Sequence, residues 1–103
     1  MGVPQYTTPT FTLTFTDEQL DLTQATSVYV TFKGGVNVFT KSGESLTVAA
    51  KQIDVRLTQQ ETAKLNVGEV EIQANWVMPS GDRAASEIAK CTIDRQLLTA
   101  VIE

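Results

Sequence analysis

The chain has 103 residues, 42% of them hydrophobic, and a formal net charge of −4, which suits a single domain over residues 1–103 with a core of its own. The acidic balance leaves little basic surface for phosphates, so we expect no nucleic-acid partner. Histidine is absent, which excludes histidine-dependent triads and metal sites. No apolar stretch approaches the roughly 20 residues of a membrane helix, so we expect no membrane partner.

Residues 10–16 give the clearest strand signal in the chain. Threonines alternate there with Phe11, Leu13 and Phe15, and a period of two is typical of a half-buried strand. The three apolar side chains are therefore predicted to face the core. We expect the preceding residues 1–9 to form an extended arm.

Short strands with turn signals continue through the middle of the chain. Residues 28–33 alternate again, and the pair Gly34-Gly35 predicts a two-residue hairpin leading into residues 36–39. A turn at residues 42–44 precedes two further strands, predicted over residues 46–48 and 53–57.

A different signal begins at Thr58. Thr58 and Glu61 have the spacing of a capping box, in which each side chain accepts a hydrogen bond from the other residue's backbone N–H. The helical turn should end near Leu65, since residues 66–68 favour a left-handed cap. We interpret it as a crossover between two sheets.

The longest alternation, residues 69–78, places Trp76 in the predicted core. A hairpin at residues 79–82 should return the chain as a partner strand over residues 83–93. Its predicted inward side chains are those of Ala85, Ala89, Cys91 and Ile93. Ile88 breaks this register, so we expect either a bulge near residues 86–87 or an outward Ile88. As the lone cysteine, Cys91 can form no internal disulfide and is expected to be a buried apolar residue.

The last nine residues, 95–103, are mostly apolar without alternation. They are expected either to pack on this domain or to form a contact with another chain.

About seven short strands with turns every 8 to 12 residues predict an all-β fold, an immunoglobulin-like antiparallel β-sandwich with one short helical crossover turn. Such sheets are packed on one face and wet on the other.

Catalytic chemistry has little support in the sequence. Glu69 and Glu71 lie on one strand face, but outward acids on a strand usually mark solvated surface. Asp21, with residues 17–18, lacks the alternating ligands and the glycine of a calcium loop, and no glycine-rich nucleotide motif follows a strand. We therefore expect no cofactor, no metal and no enzymatic activity.

Contact residues are predicted where apolar side chains lie outside the core pattern. Tyr29 falls on the outward register of its strand and is typical of an interface residue. The other candidates are in the C-terminal segment: Leu97, Leu98 and Val101. A rival interpretation takes outward aromatics, Tyr29 and Phe39, as a sugar-binding surface.

Several of these segments occur together in a known order. They are residues 21–26 (Asp-Leu-Thr-Gln-Ala-Thr), the strand 28–32, the crossover 58–65, and the hairpin that follows Trp76 through Ser80-Gly81-Asp82-Arg83, with a closing Leu97-Leu98. This order resembles the immunoglobulin-like N-terminal domain of phage baseplate upper proteins, over nearly the whole chain.

That resemblance implies a non-catalytic structural or interaction module of a phage or prophage tail. Its implied partners are other tail or baseplate proteins, with a homo-oligomer as a further expectation, and its implied location is the virion tail after synthesis in the host bacterial cytoplasm. The alternative is a carbohydrate-binding or cell-surface adhesion module on the same sandwich.

Overall fold

A computed structural model describes residues 3–16, 20–65 and 67–94 of the chain. It is a sandwich of two β-sheets, and the predicted all-β class is confirmed. The strands are β1 (Val3–Pro4), β2 (Thr10–Thr14), β3 (Ser27–Gly34), β4 (Asn37–Ser42), β5 (Leu46–Ala49), β6 (Gln52–Arg56), β7 (Gly68–Val77), β8 (Arg83–Ala85) and β9 (Ala89–Asp94). One α-helix, α1 (Gln59–Lys64), and two 3₁₀ turns, Leu22–Gln24 and Gly43–Ser45, join them.

The larger sheet has the order β1-β9-β7-β3-β4, with β8 also paired to β7, and the smaller sheet has the order β2-β6-β5. We call them the large and small sheets. Apart from β1, β4 and β8, this arrangement is that of immunoglobulin domains. Strands β2, β5 and β6 correspond to the second, fourth and fifth immunoglobulin strands in one sheet, and β3, β7 and β9 to the third, sixth and seventh in the other. Pairing is antiparallel except between β1 and β9, which run parallel. The structure thus places part of the predicted N-terminal arm, Val3–Pro4, at the edge of the large sheet.

The core lies between the sheets and follows the predicted alternation. Ten of its buried hydrophobic side chains lie on β3, β5, β6, β7 and β9, among them Val30, Phe32, Ile53, Val55, Val70, Ile72 and Ile93. Aromatic contacts join the two layers: the Phe11 and Phe32 ring centroids are 5.5 Å apart, and Phe15 meets Trp76 edge-on at 5.4 Å. Each such pair adds about 0.5–1.5 kcal/mol to the burial of the rings.

The crossover is built as predicted. Thr58 accepts from the Glu61 N–H at 3.2 Å, and the Glu61 carboxylate accepts from the Thr58 N–H at 2.8 Å, so both halves of the capping box are present. The helix connects β6 of the small sheet to β7 of the large one. It ends at Lys64, and its C-cap Leu65 is in extended conformation; the predicted cap residue Asn66 lies outside the described residues.

The β3–β4 hairpin differs from the prediction by one residue. Gly34 pairs with Asn37 and belongs to β3, so the two-residue loop is Gly35-Val36. Of these two loop residues, Gly35 alone has a positive φ, 63°, as a type II′ turn requires. Gly34 is instead buried by packing: a Cβ built on it would lie 3.0 Å from Leu65 Cδ2. Both glycines are needed, but for different reasons.

The return strand is interrupted by a bulge, one of the two predicted outcomes. Asn75 pairs with Ala85 and Ile72 with Ala89, so three residues on one strand face two on β7, which leaves one extra residue. Cys91 and Ile93 face inward as predicted, and Ala89 shares the inner register of Ile72. The prediction for Ala85 is wrong, because the extra residue reverses the facing and sets Ala85 beside Asn75 on the outer face.

None of the helices in the described ranges is long and apolar enough to cross a membrane.

Candidate functional site

The acidic residues considered as catalytic or calcium-binding candidates lie next to lysines on neighbouring strands or cap a turn. Glu69 is exposed and lies 3.5 Å from the Lys90 ammonium, and Glu71 is in register with Lys33 and Lys90 on its two neighbouring strands. Asp21 caps the first 3₁₀ turn by accepting from the Thr23 N–H. Across residues 3–16, 20–65 and 67–94, no group of three or more metal-ligating side chains is placed to hold an ion.

Cys91 is half-buried with its side chain toward the core, in register with Val70. Burial raises the pKa of the Cys91 thiol. A thiol whose pKa is raised has less of the reactive thiolate at neutral pH. Cys91 is therefore a packing residue in this fold.

The outer face of the large sheet carries the predicted contact residue Tyr29. Its side chain is 41% exposed. Its neighbours across the strands are Ser42 on β4 and Asn75 on β7, with Ala85 one strand further. These neighbours are small or polar, and Arg83 donates to the Asn75 side chain at 3.4 Å. We call the outward residues of β3, β4, β7 and β8 the Tyr29 face.

A pocket of about 550 Å³ adjoins Tyr29 where β3 begins and β4 ends. Its apolar floor includes Leu22 and Leu46, and hydroxyls line its rim: Thr23, Thr26, Ser27 and Ser42. The rim belongs to the 3₁₀ turn, to β3 and to the end of β4, so the pocket opens beside the Tyr29 ring. Hydroxyls next to one exposed aromatic ring can bind a polar, partly planar group.

Phe39 does not join this surface. It pairs with Phe32 in register, and the two rings are stacked at 5.3 Å and 19°. Since Phe32 is fully buried, Phe39 also faces the interior. Its predicted place on an outward sugar-binding surface is wrong, because Phe39 pairs with an inward residue of β3; the predicted Gly34-Gly35 loop would also have set it opposite an inward residue, Val30.

The edge strand β4 instead turns a charge inward. Lys41 is in register with the buried Val30, and its ammonium donates to the Glu61 carboxylate at 2.7 Å and to the Arg56 carbonyl at 3.0 Å. Burial works against ionisation of Glu61, but Lys41 and the Thr58 N–H outweigh it and hold the pKa of Glu61 below its ordinary value. This ion pair ties β4 to the crossover helix, a link that strand alternation alone did not indicate.

A second groove, of about 730 Å³, lies on the opposite side of the sandwich. It separates β2 from β8 and the bulge, and its walls include Leu13, Phe15, Trp76 and Ile88. The strand pattern predicted core positions for Phe15, Leu13 and Trp76 and a bulge or an outward side chain at Ile88, but no groove. The groove arises because the strands that border it belong to different sheets.

The remaining predicted contact residues, Leu97, Leu98 and Val101, lie outside the described residues, as does the whole segment 95–103.

Comparison with known proteins supports the fold only. No protein-family model matches the chain, and no curated protein does so. Among solved structures the chain is similar to a "putative glycoside hydrolase" from Bacteroides vulgatus, with a TM-score of 0.55 and 9% sequence identity over 92% of this chain. The match covers 16% of that protein, so the chain spans only a small part of its length.

Proposed function

We propose that this β-sandwich is a non-catalytic, protein-binding module of a phage or prophage tail, acting at the baseplate. The observation that carries the proposal is the Tyr29 face. An exposed aromatic ring whose cross-strand neighbours are small or polar is suited to a protein partner, since aromatic anchors dominate binding energy in such interfaces. The partner would be another tail or baseplate protein.

The resemblance to baseplate upper proteins supports the context, through residues with definable structural roles. Asp21 caps the 3₁₀ turn and Leu22 is buried behind it. Thr58 and Glu61 form the capping box. Gly81, with a φ of 91°, turns the β7–β8 hairpin. These positions build the module, whereas the Tyr29 face is free to differ with the partner. On this proposal the protein is made in the bacterial cytoplasm and ends in the virion tail.

The test is reconstitution with phage tail and baseplate proteins encoded in the same genome. Each is mixed with the purified protein and examined by size-exclusion chromatography with light scattering. We expect one of them to form a stable complex that Tyr29→Ala weakens at least about tenfold, as for an interface anchor. Val67→Ala is the matched control, because Val67 is 54% exposed but lies before β7, off the Tyr29 face. If the protein forms no complex with any of these tail proteins, the proposal is contradicted.

A carbohydrate-binding module is the second candidate, and a specific observation favours it. Tyr29 adjoins a pocket with a hydroxyl rim, and the structural neighbour from Bacteroides vulgatus is named as a glycoside hydrolase. A glycan array with wild type, Tyr29→Ala and Tyr29→Phe separates the candidates. Sugar stacking predicts a signal that Tyr29→Phe keeps and Tyr29→Ala loses, while tail assembly predicts no glycan signal.

A further inference from the structure

Strand β2 has one edge without a partner among the described strands. Phe15 N–H donates to the Lys51 carbonyl at 2.9 Å, and Pro9 accepts from the Leu57 N–H at 3.0 Å. Antiparallel pairs alternate between hydrogen-bonded and non-bonded residues, so the odd-numbered residues of β2 bond to β6. The backbone groups of Thr10, Thr12 and Thr14 therefore point away from β6.

Among the described strands, β4, β5 and β9 carry edge protection that β2 lacks. Natural proteins shield edges with inward charges, bulges or covering segments. Edge strand β4 has the inward Lys41. The end of β5 is covered where Leu22 N–H donates to the Ala50 carbonyl at 2.9 Å, and β9 is covered in part by β1. Residues 10–16, by contrast, contain no charged residue and no proline.

The unpaired edge of β2 borders the 730 Å³ groove. Leu13 and Phe15 contribute its wall on the β2 side, Trp76 lies in it, and the half-exposed Ile88 stands on the far side. Among its described lining residues, only Glu87 is charged. A strand added to β2 would thus find hydrogen-bonding groups at the edge and apolar surface behind it, the requirements of strand addition. The lining favours an uncharged occupant.

We propose that the occupant is β2 of a second copy, paired antiparallel around a two-fold axis at Thr12. In this register Thr12 faces the partner's Thr12, and Thr10 faces the partner's Thr14. All three positions are even-numbered, so each outward N–H and C=O meets its counterpart. Three hydrogen-bonded pairs follow, and the two small sheets become one six-stranded sheet.

The side chains match in the same register. Leu13 lies beside the partner's Phe11 on the inner face, and Phe15 beside the partner's Pro9, where they extend apolar cover over the groove. On the outer face the central threonines form a cross-strand pair, which is favourable in sheets. The strand itself is uncharged, so a chain of net charge −4 pairs here without local repulsion.

The nearest charges on the outer face are also well separated. Asp54 accepts from the Thr12 hydroxyl at 2.8 Å on the neighbouring strand. In the paired sheet the two β6 backbones that carry Asp54 are three strand spacings apart, about 14 Å, and each carboxylate stays bonded to the Thr12 of its own chain. This spacing exceeds the Debye length of about 8 Å at physiological salt. Their repulsion is therefore largely screened.

The interface is short, so the dimer is expected to be weak and to need assay at protein concentrations up to about 1 mM. It uses the small sheet and leaves the Tyr29 face uncovered, so it is independent of the proposed tail partner. Analytical ultracentrifugation of the full chain should show a concentration-dependent species of twice the 11.2 kDa chain mass. A chain that stays monomeric throughout this range overturns the proposal.

Thr12→Lys places two like charges opposite each other at the two-fold axis and should weaken the dimer at least about tenfold. Thr47→Lys is the matched control, because Thr47 is an exposed threonine on β5 that flanks the same Asp54 from the other side. It should dimerise as wild type does. Thr12→Pro removes an outward N–H without breaking a bond to β6 and should abolish the dimer. A dimer that survives both Thr12 variants, or that Thr47→Lys disrupts equally, contradicts the proposed edge.

Amide hydrogen exchange gives a reading that does not depend on variants. The N–H groups of Thr10, Thr12 and Thr14 should exchange quickly in dilute protein and become protected as concentration rises. Protection that is strong and independent of concentration would mean that the same chain covers the edge, which overturns the proposal. Circular dichroism of each variant checks that the sandwich is intact.

Discussion

Ser86 and Ala74 bond to each other twice across the bulge. Ser86 N–H donates to the Ala74 carbonyl at 2.8 Å, and Ala74 N–H donates to the Ser86 hydroxyl oxygen at 2.9 Å. A side-chain oxygen thus replaces the carbonyl that a regular strand would offer. The buried strand β7 keeps its hydrogen bonding although the strand beside it has one residue too many.

Removal of the Ser86 hydroxyl oxygen should lower the stability of the fold. Ser86→Ala leaves the N–H of the fully buried Ala74 without its acceptor, and we expect a loss of about 1–3 kcal/mol in the free energy of unfolding. Urea denaturation measures it. The control is Ser45→Ala, an exposed serine in a 3₁₀ turn, which should change stability by less than about 0.5 kcal/mol. Equal effects of the two variants would show that the bulge does not depend on this bond.

Gly34 is predicted to tolerate no side chain. In Gly34→Ala the new Cβ would lie 3.0 Å from Leu65 Cδ2 and 3.2 Å from Val70 Cγ2, and overpacking of this kind costs about 1–3 kcal/mol. Leu65→Ala alone should cost about 2–5 kcal/mol through the cavity it leaves. The double variant should lose less than the sum, because the Cβ at position 34 occupies part of that cavity. Strict additivity in urea denaturation would refute the contact.

Stability should fall in acid through Glu61. Its pKa is lower in the folded chain than its ordinary value of 4.5. Its stabilising contribution is therefore complete above that value and is lost as the pH falls through the lowered one. Glu61→Gln should be less stable at pH 7 and should show a weaker decline below pH 4.5 in thermal unfolding. Glu87→Gln, at an exposed position on the bulge, should retain the wild-type decline; a decline unchanged in Glu61→Gln would contradict this assignment.

Alanine substitutions at Tyr29 and Trp76 should distinguish an effect on binding from an effect on folding stability. Tyr29→Ala removes an exposed ring and should change the free energy of unfolding by less than about 0.5 kcal/mol. Trp76 is 7% exposed and packs on Phe15, so Trp76→Ala should cost about 3–5 kcal/mol. Differential scanning fluorimetry compares the two. A large loss in Tyr29→Ala would mean that its role is structural, and effects on binding could not then be assigned to contact.

Local sequence patterns were sufficient for several elements. The alternation around Phe11 and Leu13 predicted β2 because a strand turns successive side chains to opposite faces. The Thr58–Glu61 spacing predicted the helix start, since a capping box is completed within four residues. The exposed position of Tyr29 followed in the same way, from its register against Val28 and Val30. Each of these features is decided by residues close together in the chain.

The wrong predictions concern residues whose position or direction depends on the pairing between strands. The inward direction of Phe39 follows from its pairing with Phe32 on β3, which the residues around Phe39 do not show by themselves. Ala85 faces outward because the extra residue lies between it and Ala89, and only pairing with β7 locates it. Parallel pairing of Val3–Pro4 with β9 joins opposite ends of the described chain. Composition near Val3 gives no signal for it.

The sequence by itself determined that this protein is an all-β sandwich with one capped crossover and no histidine-based chemistry, because periodicity, capping and residue type are local properties. Only the tertiary structure decided which surfaces result. It set Tyr29 beside a hydroxyl-rimmed pocket, turned Lys41 inward to Glu61, and placed the uncharged edge of β2 beside a groove. Those outcomes depend on strand order and register, which are fixed by contacts between residues far apart in the chain.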